Sequence, residues 1–205
     1  HYGDTVVVPA DPTKDADNTY TYTFAGWGPE VAEVTGDATY TATYSETTNT
    51  YNIEYYYGAT KLDGIEPTSY VYEIGTELQP YVQEGYTFNG WYTSPTFEED
   101  TKLENISVTD FGDKVLYANM VINQYTITFE ENEGTEVTDI TGDFGTEVTK
   151  PEDPTKEGYT FAGWYSDEEL NTPYVFTTMP AEDITVYAKW NINQYTITFV
   201  ENGGT

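Results

Sequence analysis

The sequence predicts a mainly β protein built from small modules in tandem, and three observations lead to this. Residues that suit a pleated, half-buried surface are abundant: Tyr alone occurs 21 times, and Thr, Val and Ile are frequent. No long stretch has apolar residues at the 3.6-residue period of a helix. The third observation is repetition, because residues 123–129 return unchanged as residues 193–199, about 70 residues later.

Other motifs recur in the same order. Residues 84–92 (Glu-Gly-Tyr-Thr-Phe-Asn-Gly-Trp-Tyr) return as residues 157–165 with Ala in place of Asn, and residues 22–27 are a shorter copy. The segments 75–78 and 145–148 also match. Ordered matches at one spacing indicate repeated structural units.

The repeats divide the chain into three modules and the start of a fourth. The first module is divergent and incomplete at its N-terminus, and the fourth contributes only its first strand. The connections are short and contain no Gly/Ser-rich tract, which predicts an elongated, semi-rigid rod. The predicted bounds are residues 1–50, 51–124, 125–194 and 195–205.

The third module shows the expected elements most clearly. Tyr125, Ile127 and Phe129 alternate with threonines, which is typical of a strand with one buried face. Gly134 and the Gly142-Asp143 pair indicate turns. The predicted elements are strands at 125–129, 145–149, 159–166 and 184–190, and one helical turn at 167–170 with Asp167 as its N-cap.

The tryptophans are predicted to be structural. A module of about 70 residues is marginally stable, and each buried aromatic ring removes about 150–250 Å² from water. Gly90 and Gly163 each precede a tryptophan and either leave room for its indole or mark a bulge. The predicted core tryptophans are Trp27, Trp91, Trp164 and Trp190.

An alternative role for the aromatic residues is a sugar-binding face. Exposed rings stack on pyranoses, and neighbouring carboxylates accept hydrogen bonds from the hydroxyl groups. Trp91 and Trp164 recur at one position of their modules, which favours the core. The tyrosines out of phase with the repeat, within residues 55–57 and 70–72, are the better candidates for a contact surface.

The composition excludes several functions. With 36 acidic and 7 basic residues, the formal net charge is −29, which repels nucleic acid and anionic lipid. No apolar run is long enough to insert into a membrane. The chain has no cysteine, and its one histidine is His1, so neither a Ser/His nor a Cys/His pair can form. The sequence therefore predicts neither an enzyme nor a cofactor site.

Carboxylates are too numerous for a pair of them to indicate a site. Asp15 and Asp17 have a trace of calcium-loop spacing, but the glycine and glutamate of such a loop are missing. The acidic runs 98–100 and 168–169 are typical of solvated loops. We therefore expect no specific metal site.

Residues 125–190 resemble the Listeria–Bacteroides repeat, also called the internalin B-repeat. The resemblance is carried by four motifs in this order: Tyr-Thr-Ile-Thr-Phe, Gly-Thr-Glu-Val, Gly-Tyr-Thr-Phe-Ala-Gly-Trp-Tyr and Val-Tyr-Ala-Lys-Trp. The third module matches nearly end to end, the second more loosely, and the first only at Gly26-Trp27. The resemblance implies tandem β-grasp-like modules on secreted or cell-wall-attached bacterial proteins. It also implies no common enzymatic activity.

These observations favour a non-enzymatic spacer, the stalk of a bacterial surface protein or adhesin. A carbohydrate-binding module and a self-associating module are the alternatives. The expected location is extracellular. The expected partners are neighbouring copies of the chain and a host or glycan ligand bound through domains outside this sequence.

The two ends of the sequence suggest how copies of the chain would pair. Residues 3–6 align with residues 145–148, so the first module begins where its opening strand has already ended. Residues 195–200 are a spare copy of that strand. Unpaired sheet edges recruit strands from other chains, which predicts head-to-tail pairing. The other interpretation is that the spare strand marks a chain excised from a longer continuous fibre. Alternatively, the inserted residues 14–20 fill the missing place.

Overall fold

The computed structural model describes residues 1–200, 202 and 204, and in it the chain is mainly β, as predicted. These residues contain no α-helix and one 3-10 turn, at Glu99–Thr101. Within the described part of the chain, no helix has the length and apolar character that crossing a membrane requires. The chain forms two compact units: residues 1–81 with 88–119, and residues 82–87 with 120–205.

The first unit starts with an antiparallel hairpin of β1 (Tyr20–Gly28) and β2 (Thr41–Thr48). Asn49 alone separates β2 from β3 (Thr50–Tyr57), which pairs in parallel with β10 (Lys114–Ile122). The remaining strands are β4 (Thr60–Lys61), β5 (Ser69–Val71), β6 (Thr76–Glu77), β7 (Tyr86–Tyr92), β8 (Lys102–Leu103) and β9 (Asn105–Ile106). The main sheet has the order β4-β3-β10-β7-β8, with β5 also on β3, and β6 pairs with β9 separately.

The second unit contains a four-stranded mixed sheet. Its strands are β11 (Gln124–Glu130), β12 (Ile140–Asp143), β13 (Tyr159–Tyr165) and β14 (Ile184–Ile192), in the order β12-β11-β14-β13. The central strands β11 and β14 are parallel, with Ile127 opposite Ile184 and Phe129 opposite Val186. Both outer pairings are antiparallel.

The core of this unit follows the period-2 alternation of its central strands. Ile127 and Phe129 of β11 and Val186 and Ala188 of β14 face the same side and are buried. Trp164 from β13 completes that layer, and loop residues Val148 and Met179 close it. The strand predictions at 125–129, 159–166 and 184–190 are therefore confirmed within a residue or two at their ends.

Two predicted elements of the third module are wrong. Residues 167–170 form a turn, because the Asp167 carboxylate accepts the N–H groups of Asn171 and Thr172, and Leu170 has a φ of 58°. The strand expected at 145–149 is a single bridge between Glu147 and Thr178. Two prolines, Pro151 and Pro154, follow it, and their missing N–H groups prevent further pairing.

Strand β12 was missed because Gly142-Asp143 looked like a turn signal. The glycine lies in a closely packed place: a Cβ at Gly142 would lie 3.2 Å from Thr146 Oγ1, closer than most Cβ contacts, and 3.5 Å from Met179. As an edge strand, β12 forms its backbone hydrogen bonds only with β11, so it tolerates a glycine that lowers strand propensity.

Candidate functional site

The Phe-x-Gly-Trp motif produces the same local structure in all three modules. Gly26, Gly90 and Gly163 have φ angles of 128°, 131° and 124°, a conformation that favours glycine. The pairing register shifts at Gly26 and at Gly163, so each marks a β-bulge.

The bulge has a direct effect on packing. In a regular strand, residues three apart point to opposite faces, but the extra residue brings Phe and Trp to the same face. The ring centroids are accordingly 5.4 Å apart for Phe161 and Trp164, with near-T-shaped geometry. The same contact measures 5.6 Å in the first module and 5.3 Å in the second. The sequence left two roles open for these glycines, space for the indole or a bulge, and the structure shows the bulge.

The four tryptophans differ in burial. Trp91 and Trp164 are 1% and 2% exposed, and each packs on an aromatic residue of its module's first strand, Tyr55 at 4.7 Å and Phe129 at 4.8 Å. Neither is available to stack on a sugar. Trp190 is partly buried, and its Nε1 donates to the carbonyl of Glu131 at 2.8 Å. Trp27 is also only partly buried.

Two of the five tyrosines expected on a contact surface are structural. Tyr55 and Tyr70 are buried, which contradicts the prediction, and their hydroxyls donate to backbone carbonyls of Pro67 and Gly112. Burial raises the pKa of each to about 12. The alternation of β3 explains the error: Tyr55 lies on the same face as Ile53, whereas Tyr56 lies on the other face.

Asp17 organises the turn that leads into β1. Its Oδ1 accepts hydrogen bonds from Thr19 N, Thr19 Oγ1 and Tyr20 N, each at 2.8 Å, and its Oδ2 accepts one from the Tyr22 hydroxyl at 2.6 Å. These bonds, that of Tyr22 above all, hold the pKa of Asp17 well below its usual range. Nowhere among the described residues do three or more side chains gather that could hold a metal ion.

The sequence reasoning missed a repeated arrangement around one asparagine after each module's last strand. Asn49, Asn123 and Asn193 each follow the last residue of β2, β10 and β14. The side-chain oxygen accepts a hydrogen bond from a threonine of the preceding hairpin, and the backbone N–H donates to a carbonyl two residues before that threonine. The hydroxyl donors to Asn49, Asn123 and Asn193 are Thr21 (2.8 Å), Thr87 (2.7 Å) and Thr160 (2.6 Å), respectively. The carbonyl acceptors of their backbone N–H groups are Thr19 (2.9 Å), Gly85 (2.9 Å) and Gly158 (2.8 Å).

The first two asparagines are also bound from the module that follows. The carbonyl of Asn49 accepts the N–H of Tyr72 at 3.0 Å, and that of Asn123 accepts the N–H of Phe144 at 2.9 Å. Phe144 in addition packs on Tyr86 and would collide with any Cβ at Gly85. We call this arrangement the asparagine junction. Its sequence signal was the recurring asparagine that precedes each module's first strand.

A cleft opens beside Trp27. It has a volume of about 270 Å³, and its lining is apolar: Val6, Val7, Val8, Pro9, Trp27, Val31 and Tyr40. Among the described residues, β2 pairs only with β1. Residues 14–19 form no strand, and Asp17 holds them beside β1, so the insertion does not replace the opening strand.

The predicted strand of a fourth module is not formed. Residues 193–200 have no regular structure, and Tyr195, Ile197 and Phe199 are exposed. Residues 201, 203 and 205 of that predicted segment lie outside the described residues. Pairing with another copy therefore stays a prediction.

The profile of the Listeria-Bacteroides repeat domain matches residues 40–119 and 125–189. A putative Gly-rich membrane protein of Evansella cellulosilytica is 40% identical over 131 residues, which is 63% of this chain and 15% of that protein. A putative membrane protein of the same organism is 41% identical over 130 residues, 63% of the chain and 19% of the relative. Internalin H of Listeria monocytogenes is 36% identical over 125 residues, 59% of the chain and 22% of the relative. The chain thus spans less than a quarter of each relative's length.

Proposed function

Because the chain belongs to the Listeria-Bacteroides repeat family, we propose that it is a non-enzymatic spacer, a stalk segment of a secreted or cell-wall-attached bacterial surface protein or adhesin. The names of its relatives, an internalin and two putative membrane proteins, support a place at the cell surface. The strong negative charge supports solubility outside the cell.

We propose further that each complete module is β-grasp-like. The strand order β12-β11-β14-β13 with a parallel central pair supports this. The segment between β12 and β13, which contains Pro151 and Pro154, takes the place of the helix that a β-grasp fold carries there.

The asparagine junction is the observation that carries the spacer function. A single residue joins the last strand of one module to the first strand of the next, and up to four hydrogen bonds hold it. A linker without free rotatable residues transmits orientation from module to module, as a stalk requires. The expected array is accordingly an elongated, semi-rigid rod.

A distance measurement tests this proposal. The chain has no cysteine, so a double variant, Asp63→Cys with Glu168→Cys, accepts two spin labels at exposed positions. Double electron–electron resonance should give one narrow distribution of the distance between the two spin labels. The matched comparison carries, in addition, two glycines inserted after Asn123, which should broaden the distribution. An equally broad distribution without the insertion would contradict the spacer function.

A further inference from the structure

A groove opens beside Trp164 and is lined only by residues of the second unit. Its volume is about 480 Å³. Trp164 lies at its base, since only 2% of this residue is exposed, whereas Val175 is 72% exposed and stands at its rim. We call it the Trp164 groove. Its walls include Lys150, Trp164, Tyr165, Tyr174, Val175 and Phe176.

The third module has two more residues at this rim than the second module has. In the second module a single residue, Glu104, separates the residue that pairs with the tryptophan from the residue that pairs with β6. In the third module residues 175–177 separate the corresponding positions. The longer segment lets the rings of Tyr174 and Phe176 meet edge to face, with centroids 5.0 Å apart. The aromatic wall of the groove is therefore a feature of the third module.

The indole N–H of Trp164 is buried and has no hydrogen-bond partner within the described part of the chain. The equivalent indole, that of Trp91, donates to the carbonyl of Gln79 at 2.7 Å. Gln79 aligns with Thr149, so the N–H of Trp164 is directed toward the wall of the groove that Lys150 forms. Folded proteins rarely leave a buried donor unpaired, because its lost hydration is then not replaced. A ligand that brings an acceptor to this point replaces it.

The polar side-chain groups of the Trp164 groove are hydrogen-bond donors. Besides the indole N–H, they are the ammonium group of Lys150 and the hydroxyls of Tyr165 and Tyr174. Burial raises the pKa of Tyr174, so its hydroxyl keeps its proton. None of the residues that line the groove has a carboxylate or an amide side chain. A matching ligand therefore offers acceptors and apolar surface, and few donors.

We propose that the Trp164 groove binds a proline-rich segment of another protein in the polyproline II conformation. The backbone carbonyls of such a segment are free acceptors, its proline residues have no N–H, and their rings are apolar. Aromatic-lined grooves are a recurrent means of binding this conformation. A pyranose matches less well, because its hydroxyl groups also need acceptors, which the lining side chains offer only through two tyrosine hydroxyls. The net charge of −29 favours a segment without acidic residues. This interaction goes beyond the spacer function and does not depend on it.

An NMR titration of the ¹⁵N-labelled 205-residue chain with a capped peptide of ten prolines tests the proposal. The indole N–H resonance of Trp164 should move downfield and saturate, because this group gains an acceptor. The indole resonance of Trp91 is an internal control and should stay in place, because this group already donates to Gln79. A capped peptide of the same length with alternating glycine and serine should leave both resonances unchanged.

A variant at the rim and a sugar complete the test. Val175→Asp should weaken peptide binding roughly tenfold or more, because it removes apolar contact and the peptide would desolvate the new carboxylate. The matched control, Val82→Asp, makes the same change at an 84% exposed valine outside the groove and should bind like the unaltered chain. Cellohexaose, a neutral oligosaccharide, should not move the Trp164 resonance. A Trp164 resonance that stays in place at millimolar peptide, a shift that is undiminished in Val175→Asp, or a shift produced by cellohexaose instead of the peptide would overturn the proposal.

Discussion

The side-chain oxygen of Asn123 accepts a hydrogen bond from the Thr87 hydroxyl at 2.7 Å, and its Nδ2 lies 3.2 Å from the Tyr125 hydroxyl. One amide thus connects the hairpin before it with the strand after it. Since the backbone N–H and carbonyl of Asn123 are bonded too, the residue has little freedom to change its dihedral angles.

We expect Asn123→Ala to loosen this junction without unfolding the sheet of the second unit. The loss of the side-chain bonds should lower the free energy of unfolding by about 1 kcal/mol. Backbone ¹⁵N relaxation should show increased motion in residues 82–87, which these bonds tie to the second unit.

The matched control is Asn89→Ala. Asn89 is exposed and is replaced by Ala162 in the third module, so this variant should behave like the unaltered chain. Unchanged relaxation in Asn123→Ala would mean that the backbone bonds alone fix the junction.

Trp164→Ala should lower the free energy of unfolding by about 3–5 kcal/mol, enough to unfold a module of this size. The indole is enclosed by Phe129, Phe161 and core aliphatic residues, so its removal leaves a cavity. Trp27→Ala should cost clearly less, because that indole borders an open cleft.

Urea unfolding followed by circular dichroism gives both values. Near-native stability of Trp164→Ala would show that the indole does not support the core. Equal losses in the two variants would contradict the difference in burial between the modules.

The sequence was sufficient to predict what depends on local pattern. The alternation of Tyr125, Ile127 and Phe129 located β11. The recurrence of Phe-x-Gly-Trp singled out the glycine but left two roles open, space for the indole or a bulge, and the structure shows the bulge. What depends on partners distant in sequence was not predictable. Tyr55 is buried because β10 and Trp91 cover it, and β12 exists because β11 offers it a backbone edge.

The candidate sites also depend on contacts between residues that are distant in sequence, so the sequence alone did not predict them. The asparagine of each junction is visible in the repeat, but its function depends on a threonine 28 to 36 residues away. The cleft at Trp27 is visible only in the structure, because its lining combines residues 6–9 with residues 27, 31 and 40.

Replacement of Gly163 by asparagine should destabilise the third module by about 1–3 kcal/mol, the cost of backbone strain. The cause is conformational: φ is 124°, outside the left-handed helical region that asparagine tolerates, and a Cβ would meet only Tyr165 at 3.9 Å. Gly145→Asn is the matched control, since its φ of 74° is close to that region and its surroundings are open. Urea unfolding should separate the two variants. Similar losses would show that the bulge conformation is not the cause.

Asp17→Asn should lower the pKa of Tyr22. The hydrogen bond to the Asp17 carboxylate is the main reason that this pKa is raised from 10.0 to about 12. The amide keeps an acceptor for Thr19 and Tyr20 but removes the charge. Titration of ¹³C-labelled tyrosine by NMR should therefore move Tyr22 toward 10, while Tyr20 should stay near 12 because its hydroxyl donates to Glu73.

The same substitution has a defined effect on stability against pH. The pKa of Asp17 is lowered in the folded state, so its contribution is present above the ordinary value of 3.8 and is lost as the pH falls below it. The pKa of Tyr22 is raised, so its contribution is present below 10.0 and is lost as the pH rises toward about 12. The difference in melting temperature between the unaltered chain and Asp17→Asn should be constant between pH 3.8 and pH 10.0. It should shrink at lower and at higher pH. A difference that grows in acid would contradict the assignment of these bonds to the ionised carboxylate.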